Sequence, residues 1–253
     1  MKRVLMLILA GIMLVACIGT RKQESNDTIY LYFIRHGKTL FNTTDQVQGW
    51  SDSPLTEFGL KGARQVAGAL SEINFTLAYS SDLGRARKTA KIILSENTIN
   101  KPIIVEKEGL REVFYGSYEG KSNYEIMRPL FESKGINVTP ENWSDKYEEL
   151  MKVASEEWMI NQYHENDPTH TAENYNQVIK RIAVSIDDIM NDAKRNGGGN
   201  ILIVTHGEQI ALSLSYLLGV KNEVYIENSS ITIVSYKNGK YILEKISDTA
   251  HIK

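Results

Sequence analysis

The 253-residue chain holds a single cysteine, Cys17. No internal disulfide can form, so the folded part must rely on its core even outside the cytoplasm. No charge of one sign dominates, the formal net charge being −2. That balance gives no general electrostatic reason to expect nucleic acid, and no basic stripe with interleaved aromatics is present. A local basic pocket stays open, because net charge says nothing about a cleft. There is no Walker loop, no dinucleotide fingerprint and no internal repeat. No metal site is indicated: His164 and His170 lie in polar surroundings without convincing ligand spacing. The apolar run Val4 to Ala16 is too short for a comfortable membrane span.

That run follows Lys2 and Arg3, a positive start, and reads as a targeting segment outside the fold. Leu14-Val15-Ala16-Cys17 resembles the lipobox of bacterial lipoproteins, in which the cysteine is lipidated and becomes the first mature residue. The resemblance implies a signal peptide over 1–16 and a lipidated cysteine with a flexible polar tether over 17–28. It also implies an extracytoplasmic protein anchored to a bacterial membrane through Cys17. An ordinary signal peptide with an incidental cysteine, or an uncleaved anchor, is the alternative.

Residues 29–250 alternate strands and helices, which predicts an α/β fold. Ile29–Ile34 and Ile201–Thr205 are continuous apolar runs, as expected for strands covered on both faces. Leu77–Ser80 is a further strand, and Lys101–Val105, with Pro102, suits a sheet edge. Helical stripes run over Thr56–Ile73, Leu83–Ser95, Glu173–Arg195 and Glu208–Leu218. Asn238-Gly239 between Ser230–Tyr236 and Tyr241–Ile246 predicts a terminal hairpin. Residues 121–172 hold Pro129, Pro140 and Pro168 and read as a helical insertion over the ligand edge of the sheet. Trp143, Tyr147, Leu150, Met151, Ala154 and Trp158 fall on one helical face there. The architecture expected is a three-layer α/β/α sandwich, its sheet mostly parallel with an antiparallel edge.

The first strand ends in Arg35-His36-Gly37-Lys38-Thr39, with Asn42 close behind. The later strand ends in His206-Gly207. Open α/β sheets bind ligands beyond the carboxyl ends of their strands, so two strand-end histidines suggest one shared site. Histidine is a nitrogen nucleophile and arginine a fork of phosphate donors. Between these lie Gln48-Gly49-Trp50-Ser51-Asp52-Ser53-Pro54-Leu55-Thr56, Ser80-Ser81-Asp82-Leu83-Gly84-Arg85-Ala86, and Leu110-Arg111-Glu112 with Glu119-Gly120. In this order the blocks resemble the histidine phosphatase superfamily, the phosphoglycerate-mutase-like fold, in the branch beginning Arg-His-Gly-x-Thr. The resemblance covers Tyr30 to Val234.

The resemblance implies chemistry through a phosphohistidine, with no cofactor and no metal. A neutral imidazole avoids the repulsion that a phosphate dianion presents to anions, so His36 is the nucleophile expected. Nearby cations would lower its pKa. Arg35 and Arg85 would clamp the equatorial oxygens, with His206, best as imidazolium, a further donor. The family pattern puts the general acid and base at Glu112, although Glu119 and Glu173 compete on composition alone. Asn42 matches an asparagine that reaches the phosphate, Thr39 would orient the loop, and Gln48 and Gly49 match the loop that approaches the phosphoryl or leaving group. Thr56 is expected to cap the following helix. Arg87 and Lys88 read as solvated helix charges and Arg181 as structural. Ala172-Glu173-Asn174 departs from the family's Gly-Glu-Ser at two positions, which leaves Glu173 without an assigned substrate role. Tyr118, Tyr124, Trp143 and Trp158 are expected around the leaving group.

The reaction expected is hydrolysis of a small phosphomonoester. Tyr115 to Gly120 looks like the phosphatase ending of the family, and Lys38 stands where glycolytic mutases usually carry glutamate. A phosphoglycerate-mutase-type transferase is the second reading. A catalytically silent phosphate-binding lipoprotein is the third.

Overall fold

The computed structural model describes residues 28–219 and 225–253, so the expected signal peptide and Cys17 lie outside the described residues. In chain order the elements are β1 (Ile29–Arg35), α1 (Leu40–Thr43), α2 (Glu57–Ala69), β2 (Phe75–Ser80), α3 (Gly84–Glu96), β3 (Ile104–Glu106), α4 (Asn123–Ser133), α5 (Tyr147–Met151), α6 (Glu156–Asn166), α7 (Tyr175–Arg195), β4 (Gly199–Thr205), α8 (Gly207–Leu218), β5 (Ile231–Lys237) and β6 (Lys240–Asp248). The strands form one sheet in the order β3-β2-β4-β1-β5-β6. β3, β2, β4 and β1 run parallel, and β5 joins β1 antiparallel with β6 folded back on it.

Strand alternation explains the two covered faces. Leu31 and Phe33 of β1 and Ile201 and Ile203 of β4 turn to one side, against Val178, Ile182, Ile186 and Ile189 of α7. Ile34, Leu202 and Val204 turn to the other, against Val66 and Ala67 of α2 and Ala86, Ala90 and Ile93 of α3. Each strand is apolar at consecutive positions because each face has its own helical layer. The hairpin β5–β6 turns at Asn238 and Gly239, both at positive φ (53° and 79°), the backbone a tight two-residue turn demands.

Two local readings change. The stripe from Trp143 to Trp158 is not one helix. α5 ends at Met151, and Ser155 starts α6 by accepting the N–H of Trp158 with its hydroxyl. That cap satisfies a helix-end donor and favours a new helix start. α7 likewise begins at Tyr175, two residues later than the stripe suggests. Asn174 and Gln177 form a reciprocal capping box there, which leaves Glu173 outside the helix.

Candidate active site

The sheet register builds the site. β1 and β4 pair in parallel with Arg35 opposite Thr205, so the next residues, His36 and His206, leave adjacent strands side by side. His36 N–H donates to Thr205 O at 2.9 Å. The two rings lie 5.1 Å apart, centroid to centroid, at 61°. The turn after His36 packs directly on the first turn of α2. A Cβ on Gly37 would lie 2.5 Å from Gly59 O, and one on Gly59 would lie 2.0 Å from Lys38 O, so neither glycine tolerates a side chain. Thr56 caps α2 by accepting the Gly59 N–H, as the sequence suggests.

The imidazole of His36 is fixed in orientation. Its Nδ1 lies 2.9 Å from Gly37 O and must carry the hydrogen to donate there. Nε2 then keeps its lone pair, and Arg85 Nε donates to it at 3.2 Å. Burial, and after it the Arg85 and Arg35 charges, hold His36 well below its ordinary pKa. Cations contribute as expected, but burial is the larger cause.

Arg85 is itself held on every side. Nη1 donates to Ser51 O at 2.9 Å and Asp52 Oδ1 at 3.1 Å, and Nη2 to Gly49 O at 2.6 Å and Gln48 O at 3.3 Å. Gln48 and Gly49 therefore meet Arg85 through their carbonyls. The loop carrying those carbonyls is pinned by Glu119, whose carboxylate accepts the N–H groups of Gly49, Trp50, Ser51 and Tyr115 at 2.9–3.2 Å. Glu119 is thus committed to the main chain, away from the acid role for which composition made it a competitor.

Arg35 donates through Nη1 to Tyr225 Oη at 3.0 Å and Ile226 O at 2.5 Å, with the Tyr225 ring 5.3 Å away. Among the described residues, Arg35 Nε and both ring nitrogens of His206 are buried with no hydrogen-bond partner. His206 is fully buried, and burial with the Arg85 charge holds it well below its ordinary pKa. Without an anion His206 is therefore neutral, and the imidazolium expected of it is one that a bound phosphate would have to hold.

Glu112 sits at the N-terminus of α8. Its Oε1 accepts from Val113 N at 3.1 Å and Gln209 N at 3.0 Å, and its Oε2 from Glu208 N at 3.1 Å. The helix end favours its anion, but burial prevails and raises its pKa above the ordinary carboxylate value. The single hydroxyl hydrogen of Thr39 has two acceptors within reach, Gln48 Oε1 at 2.5 Å and Asn42 Oδ1 at 3.0 Å from Oγ1. Asn42 Oδ1 also takes the Thr39 N–H, closing the cap of α1, and lies 3.3 Å from Asn228 Nδ2, which donates to His36 O at 3.1 Å. Asn42 is thus linked to His36 through Asn228, with its amide oxygen already engaged.

The insertion meets the site differently from the expectation. Tyr118 Oη donates to Asn166 O, Tyr124 Oη to Val138 O, and the Trp158 ring lies 4.1 Å from Lys134 Nζ. Tyr118 and Tyr124 thus spend their hydroxyls on main-chain carbonyls, and Trp143 and Trp158 pack against the core. Glu156, at the start of α6, lies by the site instead, its carboxyl beside that of Glu208 at the start of α8. Burial and the Glu112 charge push Glu156 up to about 7, and Glu208 is raised well above its ordinary value by burial, then Glu156 and Glu112. Two carboxyls in contact cannot both ionise, so the pair holds one proton near neutral pH. Tyr147 stands beside this pair, its hydroxyl raised by burial and by both carboxyls. The Glu156–Glu208 pair joins residues 52 positions apart, a proximity that only the tertiary fold creates.

Arg87 pairs with Glu106 and donates to Asp82 O, so it is a bonded surface charge more than a free one. His164 Nδ1 lies 2.6 Å from Ala172 O. Among the described residues, no three His, Cys, Asp or Glu side chains are grouped so as to hold a metal.

A sequence model of the family described as "Histidine phosphatase superfamily (branch 1)" matches residues 31–143 and 138–249. A relative from Yersinia pestis (strain Pestoides F) described as "Probable phosphoglycerate mutase GpmB" is 29% identical over 233 residues, 88% of this chain and 95% of the relative. The crystal structure of phosphoglycerate mutase from Bacillus anthracis str. Sterne superposes with a TM-score of 0.80 at 34% identity, covering 90% of this chain and 97% of that one. Phosphoserine phosphatase from Entamoeba histolytica, in complex with 3-phosphoglyceric acid, superposes with a TM-score of 0.63 at 25% identity, covering 89% and 100%.

Proposed function

The chain belongs to the histidine phosphatase superfamily, and on that premise we propose that it hydrolyses small phosphomonoesters through a phosphohistidine at His36. One observation carries the reading: a buried, neutral imidazole keeps its Nε2 lone pair beside Arg85 Nε, with buried Glu112 nearby. Arg85 Nε–H turns from Nε2 to a phosphoryl oxygen as the ester enters. Arg35 Nε and one ring nitrogen of His206, buried without partners, become donors to the phosphoryl oxygens, which offsets their desolvation. Nε2 attacks phosphorus, the P–O bond to the leaving group breaks, and protonated Glu112 gives that oxygen its proton. Glu112, now ionised, takes a proton from water. The water oxygen attacks phosphorus, the N–P bond breaks, and inorganic phosphate leaves.

The similarity to proteins described as phosphoglycerate mutases favours the second reading, phosphoryl transfer between phosphoglycerates. The charge at the leaving-group side favours hydrolysis of other esters. The Glu156–Glu208 pair keeps one negative charge beside Glu112, and a leaving group with its own carboxylate would be repelled by it. Anchoring through Cys17 rests on the sequence alone; palmitate labelling that is lost in Cys17→Ser tests it.

The test is phosphate release from p-nitrophenyl phosphate by the full chain, with and without chelator, beside His36→Ala. The hydrolase reading expects release that survives chelation, vanishes in the variant and leaves an acid-labile, alkali-stable phosphoenzyme when quenched. Transfer between phosphoglycerates faster than hydrolysis would establish the mutase. Phosphate binding without turnover would establish the silent binder.

A further inference from the structure

Glu112 lies on a segment with no strand or helix of its own: a single 3-10 turn ends at Leu110, and irregular chain follows to Tyr115. A carboxyl that must meet a leaving oxygen cannot depend on a free loop, since a displacement of about 1 Å can cost a hundredfold in rate. Arg181, on the second turn of α7, supplies the missing frame. Its Nη1 donates to Gly109 O at 3.2 Å and Arg111 O at 2.7 Å, and its Nη2 to Glu112 O at 2.8 Å. Its remaining reach goes to Glu173, Nε to Oε1 at 2.7 Å and Nη2 to Oε2 at 2.8 Å. Glu173 in turn holds the far end of the segment: Oε2 accepts Phe114 N–H, and Glu173 N–H donates to Phe114 O, both at 2.9 Å. One ion pair therefore grips the segment on both sides of Glu112.

A second closure fixes the carboxyl itself. Arg181 Nη1 donates to Gln209 Oε1 at 3.1 Å, while Gln209 N–H donates to Glu112 Oε1 at 3.0 Å. Arg181, Gln209 and Glu112 form a ring in which the guanidinium sets both the peptide that carries the carboxyl and the helix end that receives it. Such a planar fork, with acceptors in fixed directions, is a task for arginine that lysine cannot perform. We propose that Arg181 and Glu173 are positioning residues for the proton transfers of Glu112, an inference that rests on the hydrolase reading above. Neither contacts His36, so their effect reaches the chemistry only through the leaving group and the attacking water, apart from a weak field of Arg181 at His206 that lysine preserves.

Leaving-group dependence separates this role from general structural support. Dinitrophenolate departs without a proton, whereas an alkoxide needs one. Single-turnover release would be followed for 2,4-dinitrophenyl phosphate and ethyl phosphate in the full chain, in Arg181→Lys and in Glu173→Gln. The expected result is a loss of about a hundredfold on ethyl phosphate, the scale of general acid catalysis, with the dinitrophenolate burst kept within about threefold. Equal losses on both esters, or no loss on either, would overturn the proposal. Glu173→Gln keeps the main-chain pairing with Phe114 and carries the test alone if Arg181→Lys does not fold. Wild-type protein that releases neither product would sink the hydrolase reading instead, a result distinct from both of those.

Discussion

Arg85 Nε donates to His36 Nε2 across 3.2 Å, so the atom proposed to attack is capped by the cation proposed to receive the phosphoryl oxygens. Every other donor of Arg85 is spent on Gln48, Gly49, Ser51 and Asp52. Only the His36 bond is exchangeable at little cost. Arg85→Lys keeps a charge but loses the fork. We expect kcat to fall by about 10²–10³-fold, the scale of removing one fixed donor to a transition-state oxygen, in steady-state assays on p-nitrophenyl phosphate.

The pH profile follows from two opposed shifts. His36 must be unprotonated and is held below its ordinary 6.5, while Glu112 must be protonated and is held above its ordinary 4.5. The acid limb of kcat/KM should therefore fall off only below pH 6.5, and the alkaline limb should lie above pH 4.5. In Glu112→Gln the alkaline limb should flatten. A profile that retains it in that variant would assign the limb to another group.

Stability and pH are linked through the buried histidines. Both have depressed folded-state values, so below pH 6.5 the unfolded chain binds more protons and stability falls as pH falls. Each contributes up to about 1.4 kcal/mol per pH unit in that window. The raised carboxyls Glu112, Glu156 and Glu208 act oppositely above their ordinary 4.5, the folded state keeping protons that are lost as pH rises. The difference between variants isolates one group. Urea unfolding of His206→Asn should lose about 1.4 kcal/mol per pH unit of slope relative to wild type below pH 6.5.

Glu119 offers a test of the loop. Its carboxylate accepts four main-chain N–H groups, and Glu119→Ala leaves them without it. A hydrogen bond to a charged group is worth about 1.5–3 kcal/mol, and solvent will recover part of the loss. Net destabilisation of about 3 kcal/mol is expected in urea titration, with kcat reduced because Gly49 O and Ser51 O no longer fix Arg85.

Much of this was legible in order along the chain. Apolar runs covered on both faces marked β1 and β4, and the parallel ladder between them brings His36 and His206 together. Thr56 announced its helix because a cap is a local interaction. What stayed hidden is tertiary. A glutamate that binds main-chain N–H groups, as Glu119 does, has the same spelling as one facing water. Glu173 and Arg181 are eight residues apart, a spacing that reads as two turns of helix, yet the capping box at Asn174 starts α7 after Glu173, and the side chains meet. The four insertion aromatics could not be aimed from sequence, since hydrophobic pattern gives a face but not its partner.

Glu156 is where the insertion touches the chemistry, and it gives a specificity prediction. Glu156→Gln removes the second carboxyl of the pair and the repulsion it offers to an anionic leaving group. KM for 3-phosphoglycerate should fall several-fold while KM for p-nitrophenyl phosphate stays level. Equal changes for both would remove charge as the discriminator.

β1 enters the sheet at Ile29 and delivers Arg35 to the opposite rim, a run of about 20 Å at roughly 3.3 Å per residue. A tether at Cys17, as proposed, would therefore join the domain at the rim of the sheet away from His36 and leave the mouth of the site unobstructed.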